Sequence, residues 1–116
     1  MIKYDIKGGA DMSNIILTEA VYYILLSLEE PLHGYGIIKN VEKLSGGRVR
    51  LAPGTLYGAL NTLKEKHWIE ELPVQSESRK KEYQITYLGK MIVLTEIRRL
   101  QDLLHNGESV IKNWEI

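Results

Sequence analysis

Pro53-Gly54-Thr55-Leu56-Tyr57-Gly58-Ala59-Leu60-Asn61-Thr62-Leu63-Lys64 has an apolar stripe on one side and almost no bulk on the other. Proline is favoured at the first helical position, where its missing N–H is not needed, so a helix is expected to open at Pro53. Leu56, Tyr57, Leu60 and Leu63 follow at spacings of one, three and three, which turns them inward on a helical period. The outward side is then Gly54, Thr55, Gly58, Asn61, Thr62 and Glu65. Each glycine lowers helix stability by about 1 kcal/mol against alanine. Two of them on an exposed face suggest that something docks there. The major groove of a duplex admits a helix of this shape, and base edges are reached from its N-terminal half. The other reading of Gly58 is that it lets a neighbouring helix come close.

Upstream, Ser45-Gly46-Gly47 stops a helix from about His33 to Leu44 whose inward face is Ile37, Ile38, Val41 and Leu44. Arg48 to Ala52 is a short extended link. Earlier still, Ser13 or Thr18 can cap a helix that runs to about Glu29 and is ended by Pro31. That helix is apolar almost all round, from Ile15 to Leu28, so it is expected to be buried on more than one side. In so short a chain the second side is assigned to another subunit. Residues 1–12 are polar and glycine-containing, and read as a flexible arm or as a remnant foreign to the native chain.

Downstream, Trp68 to Val74 and Lys81 to Thr86 read as two strands, with Tyr83 and Ile85 alternating against Glu82 and Gln84. The polar link Gln75 to Lys80 makes them a hairpin with a charged tip. Thr86 is expected to cap a last helix to about His105, ended by Asn106-Gly107, with one further turn possible in the tail. Along it Val93, Ile97, Leu100 and Leu104 fall at intervals of four, three and four, a short heptad-like seam. The seam faces either a second subunit or its own domain. This order gives a mainly α fold with a two-stranded wing: a winged helix-turn-helix over residues 13–86, then a C-terminal dimerisation helix and tail over 87–116.

A chain of 116 residues with 44% apolar content can form one domain with a modest core. It has no cysteine, which suits a reducing cytoplasm. The apolar run Ile15 to Leu28 is too short to span a bilayer, so no membrane partner is expected. Net charge is zero, but unevenly spread. Residues 39–81 hold nine basic and five acidic side chains, a balance of +4, while both flanks are acidic. His33, His67 and His105 are far apart, and no phosphate-binding glycine loop or nucleophile–base pair is evident. Neither a metal nor another cofactor is expected, and the chain does not read as an enzyme.

The run His33-Gly34-Tyr35-Gly36-Ile37, then Pro53-Gly54-Thr55-Leu56-Tyr57 with Leu60 and Leu63, then Arg79-Lys80-Lys81-Glu82-Tyr83 and Leu88-Gly89, resembles the PadR family of bacterial and archaeal regulators. The resemblance covers about Leu17 to Leu104. It implies a dimeric repressor whose first and last helices form the interface, here Tyr22 with Val93, Ile97, Leu100 and Leu104. It also implies a small, often planar aromatic effector near that interface. The family usually has glycine where this chain has His67, so the turn into the wing is expected to hold a strained non-glycine residue. Glycine is also common at the wing tip, where this chain has Ser76-Glu77-Ser78. Leu100 stands where drug-stacking members use an aromatic, with Tyr22, Tyr23 and Trp114 as substitutes.

The expected contacts to double-stranded DNA are Pro53, Gly54, Thr55, Tyr57, Gly58, Asn61, Thr62 and Lys64 of the third helix, with Arg79, Lys80 and Lys81 of the wing. Thr55 and Asn61 would read bases, Lys64 would meet a phosphate, and Tyr57 is expected to be partly buried. Arg48 and Arg50 could add phosphate contacts. Two-fold symmetry would make the operator a near-palindrome. The alternative is a winged helix that binds protein without specific DNA recognition.

Overall fold

The computed structural model describes residues 5–6, 10–11, 15–73 and 80–116. Two short strands, β1 (Asp5–Ile6) and β2 (Ala10–Asp11), pair antiparallel within the segment expected to be an arm. Helix α1 (Glu19–Ser27) begins where Thr18 Oγ1 accepts a hydrogen bond from Val21 N at 3.1 Å, satisfying one orphan N–H of the first turn. Of the two expected caps, Thr18 takes the role; Ser13 lies outside the described residues. Ile24, Leu25 and Leu28 are fully buried, while Val21, Tyr22, Tyr23 and Leu26 are half-buried.

Strand β3 (Leu32–His33) leads directly into α2 (Gly34–Leu44). His33 Nδ1 accepts from Gly36 N at 3.2 Å, so one side chain ends the strand and caps the helix. Ile37 and Val41 are fully buried and Ile38 partly so. Leu44, expected on the same face, is exposed, because it falls in the last turn beyond the core. Gly46 and Gly47 turn the chain with φ of +63° and +83°, a backbone that only glycine adopts freely.

Helix α3 (Pro53–Glu65) opens at Pro53 as expected, and Leu56, Leu60 and Leu63 are its buried row. Tyr57, expected to turn inward with the leucines and to be partly buried, has its side chain half exposed. After α3, β4 (Ile69–Leu72) and β5 (Glu82–Ile85) pair antiparallel, with Ile69 opposite Ile85 and Glu71 opposite Tyr83. The sheet has three strands in the order β3-β5-β4, one more than the hairpin expected from the sequence. A two-residue strand such as β3 has no period to detect, so its sequence carries no signal for it.

Helix α4 (Tyr87–Ile111) starts at Thr86, whose Oγ1 accepts from Gly89 N at 3.0 Å. It does not end at Asn106-Gly107. Among the described residues the only glycines with positive φ are Gly46 and Gly47, so Gly107 stays helical and the helix runs one turn further. Along α4, Gly89, Ile92, Val93 and Glu96 are buried and everything from Leu100 onward is exposed. Val93 therefore belongs to the chain's own core and has almost no surface left for a partner. Ile97 is half-buried, and Leu100 and Leu104 lie open.

Buried Glu96 fixes α4 against the segment before α1. Its Oε2 accepts from Leu17 N at 2.9 Å and from Arg99 Nη2 at 3.0 Å, and Oε1 accepts from Arg99 Nε. Arg99 and the Leu17 N–H hold this carboxyl below the usual carboxylate range despite its burial.

Candidate nucleic-acid interface

Helix α3 meets its neighbours through the leucine row, which leaves Gly54, Thr55, Gly58, Asn61, Thr62 and Glu65 exposed. A Cβ added at Gly54 or Gly58 would meet no atom within 4 Å. Neither glycine is there to admit a neighbouring helix of this chain, which removes that reading of Gly58 within the subunit. The Thr62 hydroxyl donates to Gly58 O at 3.2 Å, so in the free chain it is turned back along the helix. Pro53 sits at the helix start, and the Ala52 cap has no side-chain acceptor. The first N–H groups of α3 thus face outward without a side-chain partner from their own cap, an arrangement suited to an oxyanion.

Between α2, α3 and the foot of the wing lies an open cleft of about 360 Å³, lined by His33, Gly34, Tyr35, Tyr57, Lys80, Lys81 and Tyr83. Glycine at position 34 makes room for Tyr57. A Cβ on it would come within 2.5 Å of the Tyr57 hydroxyl, so glycine lets that ring lie over the start of α2. Lys80 and Lys81 are both exposed at the cleft mouth. Arg79 and the wing tip Ser76-Glu77-Ser78 lie outside the described residues. Burial raises the Tyr83 hydroxyl above its ordinary pKa, with the Glu71 charge adding to the effect.

Lys64 has a partner that the sequence reading does not name. Its Nζ lies 3.0 Å from Glu71 Oε1, so in the free chain it bridges α3 to β4. Arg48 is likewise paired with Glu19 at 2.7 Å, and Arg50 approaches Glu42 at 3.7 Å. Sequence reasoning misses these acidic partners because they stand 7, 29 and 8 residues away, and pairing across elements has no local signal. It also misses the side-chain cap at His33; a histidine just before a glycine-rich helix start is the one clue on offer.

The turn from α3 into the wing carries the expected anomaly. His67 has a φ of 61°, and among the described residues it is the only non-glycine in that region. Its carbonyl accepts from Thr86 Oγ1 at 2.7 Å, and Trp68 N donates to Leu63 O at 3.0 Å. Thr86 N donates to Trp68 O at 3.0 Å, and a Cβ on Gly89 would collide with that same carbonyl. The end of α3, the wing and the start of α4 are thereby clamped together.

Comparison with known proteins agrees with this geometry. Residues 22–93 match the transcriptional regulator PadR-like family, a span that runs from within α1 to the first two turns of α4. The chain belongs to this family. A PadR family transcription regulator from Clostridium difficile superposes with a TM-score of 0.65 at 22% identity, covering 84% of this chain and 98% of that one. A PadR-like transcription factor from Bacteroides fragilis gives 0.64 at 25% identity, covering 78% and 87%. RosR of H. salinarum gives 0.60 at 25%, covering 84% and 92%.

An uncharacterized 37.1 kDa protein of a Streptomyces fradiae transposon is 34% identical over 86 residues, or 73% of this chain. This chain spans about a quarter (24%) of that relative's length. Membership makes the chain a DNA-binding transcriptional regulator with a winged-helix fold. Among the described residues no helix is long and apolar enough to cross a membrane.

Proposed function

We propose that the chain is a homodimeric repressor that places α3 in the major groove of a near-palindromic operator and the wing on the adjacent backbone. The observation that supports this most is the outward face of α3, where Gly54, Thr55, Gly58 and Asn61 lie exposed with open space around both glycines. Thr55 and Asn61 have the donors and acceptors to read base edges, and Pro53 and Gly54 present the helix start to a phosphate. Gly58 and Thr62 leave room for the groove wall. Tyr57, Lys80 and Lys81 line the cleft beside it, with Arg79 next in sequence. Lys64 reaches a phosphate only by leaving Glu71.

The dimer reading draws on α4. Leu100 and Leu104, with half-buried Ile97 and Tyr22, offer an apolar surface that a second copy would cover. Val93 contributes from below, as part of the core that backs this surface. A small aromatic effector would release the DNA from a seat near Tyr22 and Tyr23, whose rings already meet edge to face at 5.7 Å. A cytoplasmic location accords with the absence of cysteine.

The test is selection of bound duplexes from a random-sequence pool by the whole chain. The expected product is an inverted repeat with half-sites about one helical turn, roughly 34 Å, apart. Recovery of duplexes with no shared sequence would count against operator reading and move a protein-binding role ahead.

A further inference from the structure

We infer that Glu71 is an internal counter-charge of the DNA face, holding Lys64 away from the phosphate backbone and so keeping affinity for duplexes of any sequence low. The inference rests on the reading that α3 and the wing carry the DNA. Glu71 stands opposite Tyr83 in the β4–β5 register, and directly opposed residues share one face of a sheet. Tyr83 is buried, so that face is the one turned toward the helices. Glu71 meets Lys64 there at 3.0 Å.

The pair is not sealed off. The two side chains keep 37% and 32% of their exposure, so the ammonium stays within reach of another anion. An ion pair so wet contributes little to folding, so freeing Lys64 should leave the wing in place. Lys81 also acts on the same carboxylate, and Lys64 and Lys81 together hold it below the usual carboxylate range. The acid thus pairs with Lys64 and feels the charge of Lys81 as well.

The position matters as much as the charge. Lys64 follows Tyr57 by seven residues, two helical turns along one stripe of α3, and Tyr57 with Lys80 and Lys81 lines the cleft between α3 and the wing. With α3 in the major groove and the wing on the adjacent backbone, the strand bounding that groove passes over this seam. A cation there would count toward sequence-independent binding, which scales with the phosphates neutralised. Withholding it lowers the background against which base contacts discriminate. Glu70, one residue earlier, is exposed and alternates to the opposite face of the strand, so it cannot do the same.

The experiment measures binding of the whole chain to a random-sequence duplex across a salt series. Glu71→Gln is expected to bind on the order of fivefold tighter, the size of one exposed charge pair. Its log–log salt dependence should steepen by about 0.9, the increment for one more phosphate neutralised. Glu70→Gln removes the same charge and should give a smaller change with no added slope. The double variant Lys64→Gln/Glu71→Gln should return to the parent's affinity. The proposal is overturned if Glu71→Gln binds no tighter than Glu70→Gln, or if the double variant still binds as tightly as Glu71→Gln. It also fails if Glu71→Gln melts lower and binds more weakly, since the pair would then be holding the wing in place. If the parent and every variant ignore duplex at low salt, the DNA reading of this face falls as well.

Discussion

The outward faces of α3 and of the distal half of α4 are both exposed, yet their chemistry has almost nothing in common. On α3 the exposed row is Gly54, Thr55, Gly58, Asn61 and Thr62, with no aliphatic side chain larger than a methyl group. On α4 it is Leu100, Leu103, Leu104, Val110 and Ile111, with Trp114 just beyond the helix, each between 41% and 62% exposed. A face without apolar bulk gains nothing from burial and suits a hydrated, charged surface such as a duplex. A row of aliphatic residues gains about 25 cal/mol for each Å² removed from water, which suits another protein surface. The two faces thus ask for different partners, and each can be disabled without disturbing the other.

The largest effect is expected on α4. Leu100→Glu with Leu104→Glu would remove four leucines from the proposed two-fold interface. At about 1.5–3 kcal/mol for each side chain buried, the loss is roughly 6 kcal/mol or more. Sedimentation should show monomers that keep their helical content, because neither leucine is in the core of the chain. A folded double variant that remains dimeric would mean that the partner covers another surface.

Next in size is Gly58→Leu on α3. A Cβ there meets no atom beyond its own helix and the position is exposed, so thermal stability and dimerisation should be unchanged. Specific DNA binding should fall by more than about 1–3 kcal/mol, the worth of one good base contact. Titration against the selected duplex measures this, and unaltered affinity would show that α3 does not enter the groove by this face.

How much of this contrast can be read from sequence depends on how local its causes are. Pro53 and the leucines at 56, 60 and 63 fix α3 within eleven residues, and the structure follows them. Thr18 and Thr86 cap their helices as their chemistry suggests. Val93 shows where local reading stops. It shares a seam with Ile97, Leu100 and Leu104, but only the tertiary fold decides that the core ends near Glu96. Gly107 has the look of a helix stop because glycine so often is one, yet nothing beyond it draws the chain away from the helix. The Lys64–Glu71 pair leaves no local signal because the two residues come from different elements. Glu96 offers only one clue, an arginine three residues on; its bond to Leu17 N spans 79 positions and has no trace in either neighbourhood.

Glu96 sharpens the comparison by marking the border between the inner and outer halves of α4. Glu96→Gln keeps an acceptor but loses the charge that binds Arg99 and the Leu17 N–H, at a cost of roughly 1–2 kcal/mol. Because the folded-state pKa lies below its unfolded value, the carboxylate's contribution is full at neutral pH. It is lost as pH falls through the folded value, in the range below about 4.5. Chemical denaturation from pH 7 down to pH 3 should therefore bring parent and variant closer together as acid is added. A constant gap would mean that Glu96 contributes packing and not charge.

The smallest expected effect is at His67, the residue that joins α3 to everything downstream. Its φ of 61° places a side chain in the left-handed region, which costs a non-glycine residue roughly 1 kcal/mol. Histidine is tolerated there better than most residues, and glycine adds entropy to the unfolded chain, so His67→Gly should gain only a few tenths of a kcal/mol. The carbonyl of residue 67 accepts from Thr86 whatever its side chain, so the clamp between α3 and α4 should survive the change. A rise of a degree or two in Tm with unaltered DNA affinity is the expected result. A fall in Tm would show that the imidazole itself holds the turn. Weaker DNA binding at unchanged Tm would instead tie the strained turn to the setting of α3 against the wing, and the two exposed faces would no longer be independent.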